Sequence, residues 1–585
     1  MVLAAARRGP DVALRFPLDG QTVSLSYGEL GVISREIARG LIALGIDAGE
    51  RVAILCSTRA EWTLADCGAL CAGAVVVPIY HTNSPEECAY VLKHSEARVI
   101  FCEDPSQAEK IEQVRERLPR LRQIVLIEGE TSDDTIKIEQ LRERGVEVPQ
   151  DAVRDRVDAV SPQDPATLVY TSGTTGPPKG CMLSHSNMLS TARMYSERLR
   201  IDSTHSLYQF LPLAHVLARV AQIVILDTGA QVCFWSGDPT KIVEELAELK
   251  PTHFPAVPRI YEKIHSTVVG RVEDGAALRR TLFKRALTQG RALRHMQAQG
   301  LSPGPIRLAR HRLADALVLS KVRHIFGGQL QLALVGAAPV ARDLLEFFDA
   351  CGVTVLEGYG LTESTAAATL NTPDEMRLGT VGRPLPGTEV EIAADGEILL
   401  RGPNVFEGYY KNAAATGEVF ADGWLATGDL GAITDEGYLV VTGRKKDLII
   451  TSSGKNITPV NIENALRETR WISEAVVYGD ERPYLVALVT LDRDEQAKLA
   501  ERLNVPDDTA AMAHDESVHA TVREAVEDVN ANLARIEQIK RFAILDHDLT
   551  QADGEMTPTL KVKRAVVYDR YADLFDALYR TETPP

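Results

Sequence analysis

Short β-branched runs alternate with helical stretches through roughly the first 380 residues, and this alternation limits the fold more than any other feature of the chain. Val52-Ala53-Ile54-Leu55, Ala74-Val75-Val76-Val77, Arg98-Val99-Ile100-Phe101 and Ile124-Val125-Leu126-Ile127 read as strands, and Leu332-Ala333-Leu334-Val335 and Val353-Thr354-Val355-Leu356 follow much later. The stretches near Trp62–Ala72 and Glu86–His94 read as intervening helices. Strands of this kind, apolar along their whole length, suit parallel sheets covered on both faces. From Thr388 to Val441 the pattern becomes alternating strands with Gly turns, as in Glu389–Ile392 and Glu397–Leu400, which predicts a compact antiparallel β subdomain at about 385–441. A smaller α+β unit follows, with strands near Ala475–Tyr478, Leu485–Thr490 and Phe542–Leu545. The expected architecture is α/β: a large domain over residues 1–443, a charged hinge at 444–447, and a small mobile domain over 448–585. The four consecutive charges of the hinge fit an ordinary charged turn equally well.

At 585 residues the chain exceeds one ordinary core. A net charge of -17 argues against a nucleic-acid partner and leaves anionic substrates to local cations and backbone dipoles. The eight cysteines form no CxxC pair, so neither a structural metal nor a disulfide framework is indicated, and a reducing cytoplasm is the expected location. The opening MVLAAARRGPDVALRF has too short an apolar run for a signal core, and no uncharged run is long enough to span a bilayer. One segment breaks the acidic balance. Between Arg271 and Arg323 stand Arg279, Arg280, Lys284, Arg285, Arg291, Arg294, Arg307, Arg310 and Arg312, against Glu273, Asp274 and Asp315, with Leu278, Leu282 and Leu293 among the apolar positions. A solvated helical face explains this island, and so does a peripheral contact with anionic lipid or a guide for an acyl substrate.

Residues Tyr170 to Gly180 read YTSGTTGPPKG, directly behind the apolar Leu168-Val169-Tyr170. A strand ending in such a loop offers backbone N–H groups, hydroxyls and one cation to a polyphosphate. The spacing is not that of a Walker loop, and Pro177 and Pro178 remove two donors and oppose an immediate helix, so a flap over the phosphates is expected. Taken alone, the loop also fits a surface turn of small residues.

Five further motifs follow: Leu211-Pro212-Leu213-Ala214-His215, Gly358-Tyr359-Gly360-Leu361-Thr362-Glu363, Thr427-Gly428-Asp429-Leu430, Gly443-Arg444-Lys445-Lys446-Asp447, and Thr557-Pro558-Thr559-Leu560-Lys561-Val562-Lys563-Arg564. Tyr359 between two glycines offers a ring for stacking on a purine, or a core tyrosine in a turn. Glu363 is a hard oxygen ligand suited to Mg²⁺, or a solvated acid at a helix start. Asp429 can accept both ribose hydroxyls, or cap a turn. All six motifs, in this order, closely resemble the adenylate-forming superfamily of acyl-CoA synthetases, luciferases and peptide-synthetase adenylation domains, from about Ser26 to Arg564.

The resemblance implies ATP, Mg²⁺ and coenzyme A as ligands, and it implies roles. Thr171 and Glu363 share the metal. Ser172, Gly173, Thr174, Thr175, Gly176 and Lys179 form the phosphate loop. Gly336 and Ala337 flank adenine and acyl carboxylate, beside Glu357, Gly358, Tyr359 and Gly360, while Thr362 reaches the α-phosphate and Asp429 and Arg444 the ribose. Lys561 matches the catalytic lysine, although LKVKR replaces the usual GKIxR and Lys563 stands two residues on. Lys446 takes the hinge position, and Ser453, Gly454, Lys455 and Asn456 the coenzyme A channel. The implied chemistry is activation of a carboxylate as acyl-AMP, then transfer to a thiol as the small domain swings. The long insert and the segment Val257-Pro258-Arg259-Ile260-Tyr261 resemble the long-chain fatty acyl-CoA synthetase branch, with His215 and Tyr261 at the acyl-pocket mouth; Tyr261 equally suits a packing aromatic. A medium-chain or aryl acid, and an acyl carrier protein in place of coenzyme A, are the alternatives, together with a non-catalytic binder and a luciferase-like oxygenase.

Overall fold

Five sheets organise the computed structural model, which describes residues 5–18, 20–171, 177–298, 300–336, 338, 340–452, 455–557 and 561–580. Ser172 to Gly176, Ala337, Ser453 and Gly454, all assigned roles above, lie outside the described residues.

An eight-stranded sheet runs from Gly408–Tyr409 through Lys179–Ser184, Pro165–Thr171, Val75–Ile79, Arg51–Leu55, Val99–Cys102 and Gln123–Leu126 to Thr135–Lys137. It is parallel from Pro165–Thr171 onwards, and the strands Lys179–Ser184 and Gly408–Tyr409 close it antiparallel at one edge. Every residue of Val75–Ile79 is buried, as a strand covered by helices on both faces requires. A nine-stranded sheet places Val355–Tyr359, Leu332–Val335, His253–Ala256, Ser206–Gln209 and Gln231–Phe234 side by side, parallel, as far as Val12–Leu18. The strand predicted from Val353 starts two residues later, and the antiparallel edge hairpin Val12–Leu18 with Gln21–Ser26, polar on its outer strand, was not predicted.

The β-rich unit pairs Glu389–Ile392, Glu397–Arg401, Trp424–Ile433 and Leu439–Arg444 antiparallel. The C-terminal unit has a three-stranded sheet of Ile472–Tyr478, Leu485–Leu491 and Ile539–Ile544 around its own apolar cluster, which includes Leu466, Val477, Ala487 and Val522. Glu463 inside this unit is 5% exposed and bonded by both terminal nitrogens of Arg564. Among the described residues, the contacts that join the unit to the larger body include four polar pairs. Arg259 pairs with Glu474 at 3.0 Å, Lys263 with Asp494 at 2.9 Å and Arg470 with Glu273 at 3.7 Å, and Gln551 donates to the Thr82 carbonyl at 3.3 Å.

The basic island is helical, as expected, in Ala277–Ala298 and Pro305–Ala314. Leu293 is buried there, whereas Leu278 and Leu282 are 70% and 43% exposed. All eight cysteines are buried free thiols.

Candidate active site

The carboxyl ends of strands from both large sheets meet at a cavity of about 280 Å³, the place where open parallel sheets receive ligands. Its wall draws on Thr171 from one sheet, Gly336, Gly358 and Gly360 from the other, and His215, Thr362, Glu363, Arg444, Thr557 and Lys561 from the segments between and beyond. Val216, Leu217, Pro255, Leu334 and Leu370 give it an apolar side. Thr171 and Lys561 are nearly 400 positions apart in sequence, and the fold brings both to one hollow.

Glu363 stands in the 3-10 turn Thr362–Ser364, and its backbone carbonyl accepts a hydrogen bond from the Phe406 N–H at 2.8 Å. Its carboxylate accepts the Tyr409 hydroxyl at 2.7 Å, while the Lys179 ammonium lies 5.0 Å from the centre of the Tyr409 ring. Tyr409 therefore ties the lysine behind the phosphate loop to the proposed metal carboxylate, a cation held on an aromatic face whose hydroxyl orients the anion. No motif reading singled it out. The only trace in the sequence is the pair Tyr409-Tyr410 after a glycine, and the strand pairing of Tyr409 with Cys181 supplies the link. Cys181, buried beside Glu363, has its thiol pushed well up, by burial first and the carboxylate second.

Asp429 and Arg444 face each other across two antiparallel strands, with Arg444 Nε 2.7 Å from Asp429 Oδ1. The Tyr359 hydroxyl donates to Asp429 Oδ2 at 2.8 Å. Both carboxylate oxygens thus point toward the arginine and the aromatic ring, and the carboxylate is buried while Arg444 reaches the cavity. Burial, then the neighbouring Asp429 charge, pushes the Tyr359 hydroxyl well up, so it stays a donor. Tyr359 is not itself among the lining residues; its two flanking glycines are.

His215 caps the helix Val216–Thr228 by accepting the Leu217 N–H on Nδ1 at 3.2 Å, which leaves the proton on Nε2. Burial, and secondly the Lys561 ammonium, hold it down to about 4. The imidazole is neutral across the working pH range.

The Lys561 N–H donates to Thr557 Oγ1 at 3.1 Å, and the Lys561 carbonyl accepts the Thr557 N–H at 2.8 Å. Protein crowds its ammonium at the cavity wall, and that burial, followed by the Arg444 charge, lowers it to about 8. Lys561 as a whole residue is nonetheless exposed at the cavity mouth, so water opposes that lowering and keeps the ammonium above this value. Lys563, its sequence rival, caps the helix Arg564–Arg570 and does not line the cavity.

Three sets of residues named from the sequence do not line this cavity. Tyr261 does not line this cavity: it is 1% exposed, wedged between Phe254 and Phe348, with its hydroxyl on the Phe254 and Leu334 carbonyls at 2.9 and 3.1 Å. Any displacement of the ring toward the cavity would break both bonds. Lys455 and Asn456 lie beside the small ladder Ile449–Ile450 with Asn456–Ile457, away from the cavity wall. Glu357 is not among the lining residues either, and burial raises its carboxyl to about 8, partly offset by the Gly379 N–H. Tyr80 and Tyr195, unmarked by any motif, line the cavity instead.

Among the described residues no group of three or more acidic, His or Cys side chains could cage a metal. One carboxylate, Glu363, and one hydroxyl, Thr171, at a polyphosphate cavity suit Mg²⁺, which keeps its waters and leans on phosphate oxygens.

The chain matches the AMP-binding enzyme family over residues 3–410 and the AMP-binding enzyme C-terminal domain over residues 446–583. It belongs to the AMP-binding enzyme family. It is 38% identical to the long-chain-fatty-acid–CoA ligase FadD15 of Mycobacterium bovis, over 100% of this chain and 97% of that protein. The long-chain-fatty-acid–CoA ligase ACSBG1 of Rattus norvegicus is 35% identical, over 97% of this chain and 84% of that one. The fold superposes on the anthranilate CoA ligase AuaEII bound to anthranoyl-AMP with a TM-score of 0.75 at 21% identity, covering 99% and 98% of the two chains. The adenylation domain of a carboxylic acid reductase from Segniliparus rugosus gives 0.76 at 20% identity, covering 99% and 93%. The fold also superposes on the ATP-bound RpMatB-BxBclM chimera B1 with a TM-score of 0.71 at 25% identity, covering 98% and 99% of the two chains. Membership of the AMP-binding enzyme family agrees with the α/β architecture.

Proposed function

We propose that the chain is an AMP-forming ligase that joins a long-chain fatty acid to coenzyme A through an acyl-AMP intermediate. The observation that carries this reading is the single cavity that gathers Thr171, Glu363, Thr362, Arg444 and Lys561 beside an apolar wall. Its full-length likeness to fatty-acid–CoA ligases supports a fatty acid as the substrate.

In the first half-reaction the fatty carboxylate oxygen attacks the α-phosphorus of ATP. An O–P bond forms, the bond to pyrophosphate breaks, and pyrophosphate leaves with the electron pair. Two anions must approach, so the site has to offset charge building on the phosphate oxygens. Lys561 and Arg444 bring cations to the cavity wall, and Thr362 brings a hydroxyl. Mg²⁺ held by Glu363 and Thr171 would supply charge neutralisation at the phosphates, with Tyr409 fixing the carboxylate. Asp429, Arg444 and Tyr359 serve the ribose and base, and Lys179 with residues 172–176 the outer phosphates. Neutral His215 offers Nε2–H toward the acyl carboxylate.

In the second half-reaction the thiol sulfur bonds to the acyl carbon and AMP departs with the C–O electron pair; the thiol proton goes to solvent. One cavity then needs a second set of groups, and a swinging domain is the physical answer. We assign residues 1–443 and 448–585 to two bodies with the pivot at 444–447. Lys446 is the pivot residue, and Lys455 and Asn456, with the neighbouring Ser453 and Gly454, are the groups that enter the thiol channel. The Arg259–Glu474 and Lys263–Asp494 pairs belong to the pose in which Lys561 faces the cavity. Coenzyme A is the preferred acceptor, a carrier-protein phosphopantetheine the alternative. The test is pyrophosphate release by the purified protein with ATP, Mg²⁺ and palmitate, followed by thioester formation on adding coenzyme A or an acyl carrier protein. Absence of acyl-AMP with any of a graded series of fatty acids would sink the reading.

A further inference from the structure

Of the thirteen exposed large apolar side chains among the described residues, six fall between Leu278 and Leu317, in the helical hairpin built from Ala277–Ala298 and Pro305–Ala314 and the π-helical turn Asp315–Leu319 that continues it. Ile306, Leu313 and Leu317 are 72%, 63% and 54% exposed and are spaced seven and four residues apart, so they fall within about 20° of one line along the helix. Arg310 joins the same face, and Arg307 and Arg312 flank it. None of these three arginines has a carboxylate partner among the described residues, whereas the lone acid of residues 277–325, Asp315, is already bonded by Arg323 at 2.6 and 2.8 Å. Leu278 and Leu282, with Arg285, repeat the pattern on the preceding helix, and Leu301 stands exposed near the hairpin tip. Eleven lysines and arginines against one acid mark this hairpin off from a chain whose net charge is -17.

An apolar stripe turned to water is unfavourable unless something covers it. Cations flanking such a stripe, with long stems that reach past it, are the arrangement of a helix that lies in a bilayer interface with its apolar face sunk among acyl chains. We propose that this hairpin, through Ile306, Leu313 and Leu317 flanked by Arg307, Arg310 and Arg312, docks the protein on an anionic phospholipid bilayer. Charge complementarity selects the occupant: the rest of the acidic surface repels an anionic membrane, so attachment is confined to this one face and orients the molecule. No helix among the described residues is long and apolar enough to cross a membrane, so the contact is interfacial. A fatty acid partitions into bilayers, and docking there would let the enzyme draw on the substrate where it is concentrated.

The test is vesicle flotation of the full chain, without ATP or fatty acid, so that it reads docking independently of the catalytic assignment. Phosphatidylcholine vesicles are compared with vesicles that are roughly one-third phosphatidylglycerol. The protein is expected to float with the anionic vesicles alone and to be released as salt is raised. Ile306→Ser/Leu313→Ser/Leu317→Ser and, separately, Arg307→Gln/Arg310→Gln/Arg312→Gln should each lower the bound fraction about tenfold or more, with pyrophosphate release from a water-soluble short acid unchanged as the check on folding. The proposal is overturned if the wild type stays unbound, if both triple variants float as it does, or if light scattering finds a dimer that the same substitutions dissociate, in which case a second copy covers the stripe.

Discussion

Lys561 makes adenylation sensitive to pH in a way the structure lets one calculate. Burial and the Arg444 charge bring its ammonium from an ordinary 10.5 to about 8. A cation is needed to draw in the triphosphate, so activity should be full below this value and lost above it. With a midpoint at about 8, roughly nine-tenths of the free enzyme carries the charge at pH 7 and about one-tenth at pH 9. The kcat/KM for ATP in pyrophosphate release, which reports the free enzyme, should therefore fall about tenfold per pH unit beyond pH 8. Two effects bear on the midpoint in the same direction. Accessible surface at the cavity mouth lets water favour the cation, and bound triphosphate favours it further, so the kcat profile should break at higher pH than kcat/KM. Lys561→Arg keeps a charge that no accessible pH removes and should flatten the limb, at a lower plateau because the guanidinium is larger. Lys561→Ala should abolish pyrophosphate release but leave conversion of supplied acyl-AMP to thioester largely intact. A limb that survives unchanged in Lys561→Arg would assign the titration to another group and refute the reasoning.

Other consequences can be measured directly. Tyr409→Phe removes a hydroxyl bond to the Glu363 carboxylate, worth on the order of 1.5–3 kcal/mol, so it should lower kcat/KM for ATP about 10- to 100-fold and raise the Mg²⁺ needed for half-maximal rate, whereas a mere packing role would leave the Mg²⁺ titration alone. Glu363→Gln should weaken Mg²⁺-dependent adenylation more strongly, and an unaltered Mg²⁺ dependence would remove Glu363 from the metal. Glu357 is a neutral acid in the fold, raised by burial to about 8, and ionises near 4.5 when unfolded. Its contribution to stability is complete below pH 4.5 and drains away as pH climbs to 8. Glu357→Gln should therefore stabilise the protein at pH 8, on the order of 4 kcal/mol, and do nothing near pH 4, as denaturant titrations at the two pH values would read. Arg564→Ala strands buried Glu463 without its cation and should destabilise the C-terminal unit by about 3–5 kcal/mol, visible as an earlier transition on heating; an unmoved transition would mean the pair is dispensable.

Much of the architecture was written locally. Val75–Ile79 is apolar throughout because both faces are covered, and Glu389–Ile392 alternates because one face meets solvent, so each pattern announces its sheet. The edge hairpin Val12–Leu18 with Gln21–Ser26 escaped notice because its outer strand is polar and draws its order from its partner.

Sequence alone determined the order of the six motifs, and with it the family, since chemistry on a triphosphate demands glycines, hydroxyls, a carboxylate and a lysine whatever their surroundings. Tertiary structure decided which of those groups meet. It brought Lys561 rather than Lys563 to the cavity, turned the Tyr359 hydroxyl onto Asp429, threaded Tyr409 between Lys179 and Glu363, and locked Tyr261 away on two carbonyls. The physical reason is reach. A motif fixes what a residue can donate or accept, but hydrogen bonds and ion pairs act over about 3 Å, and only folding sets which distant segments come that close.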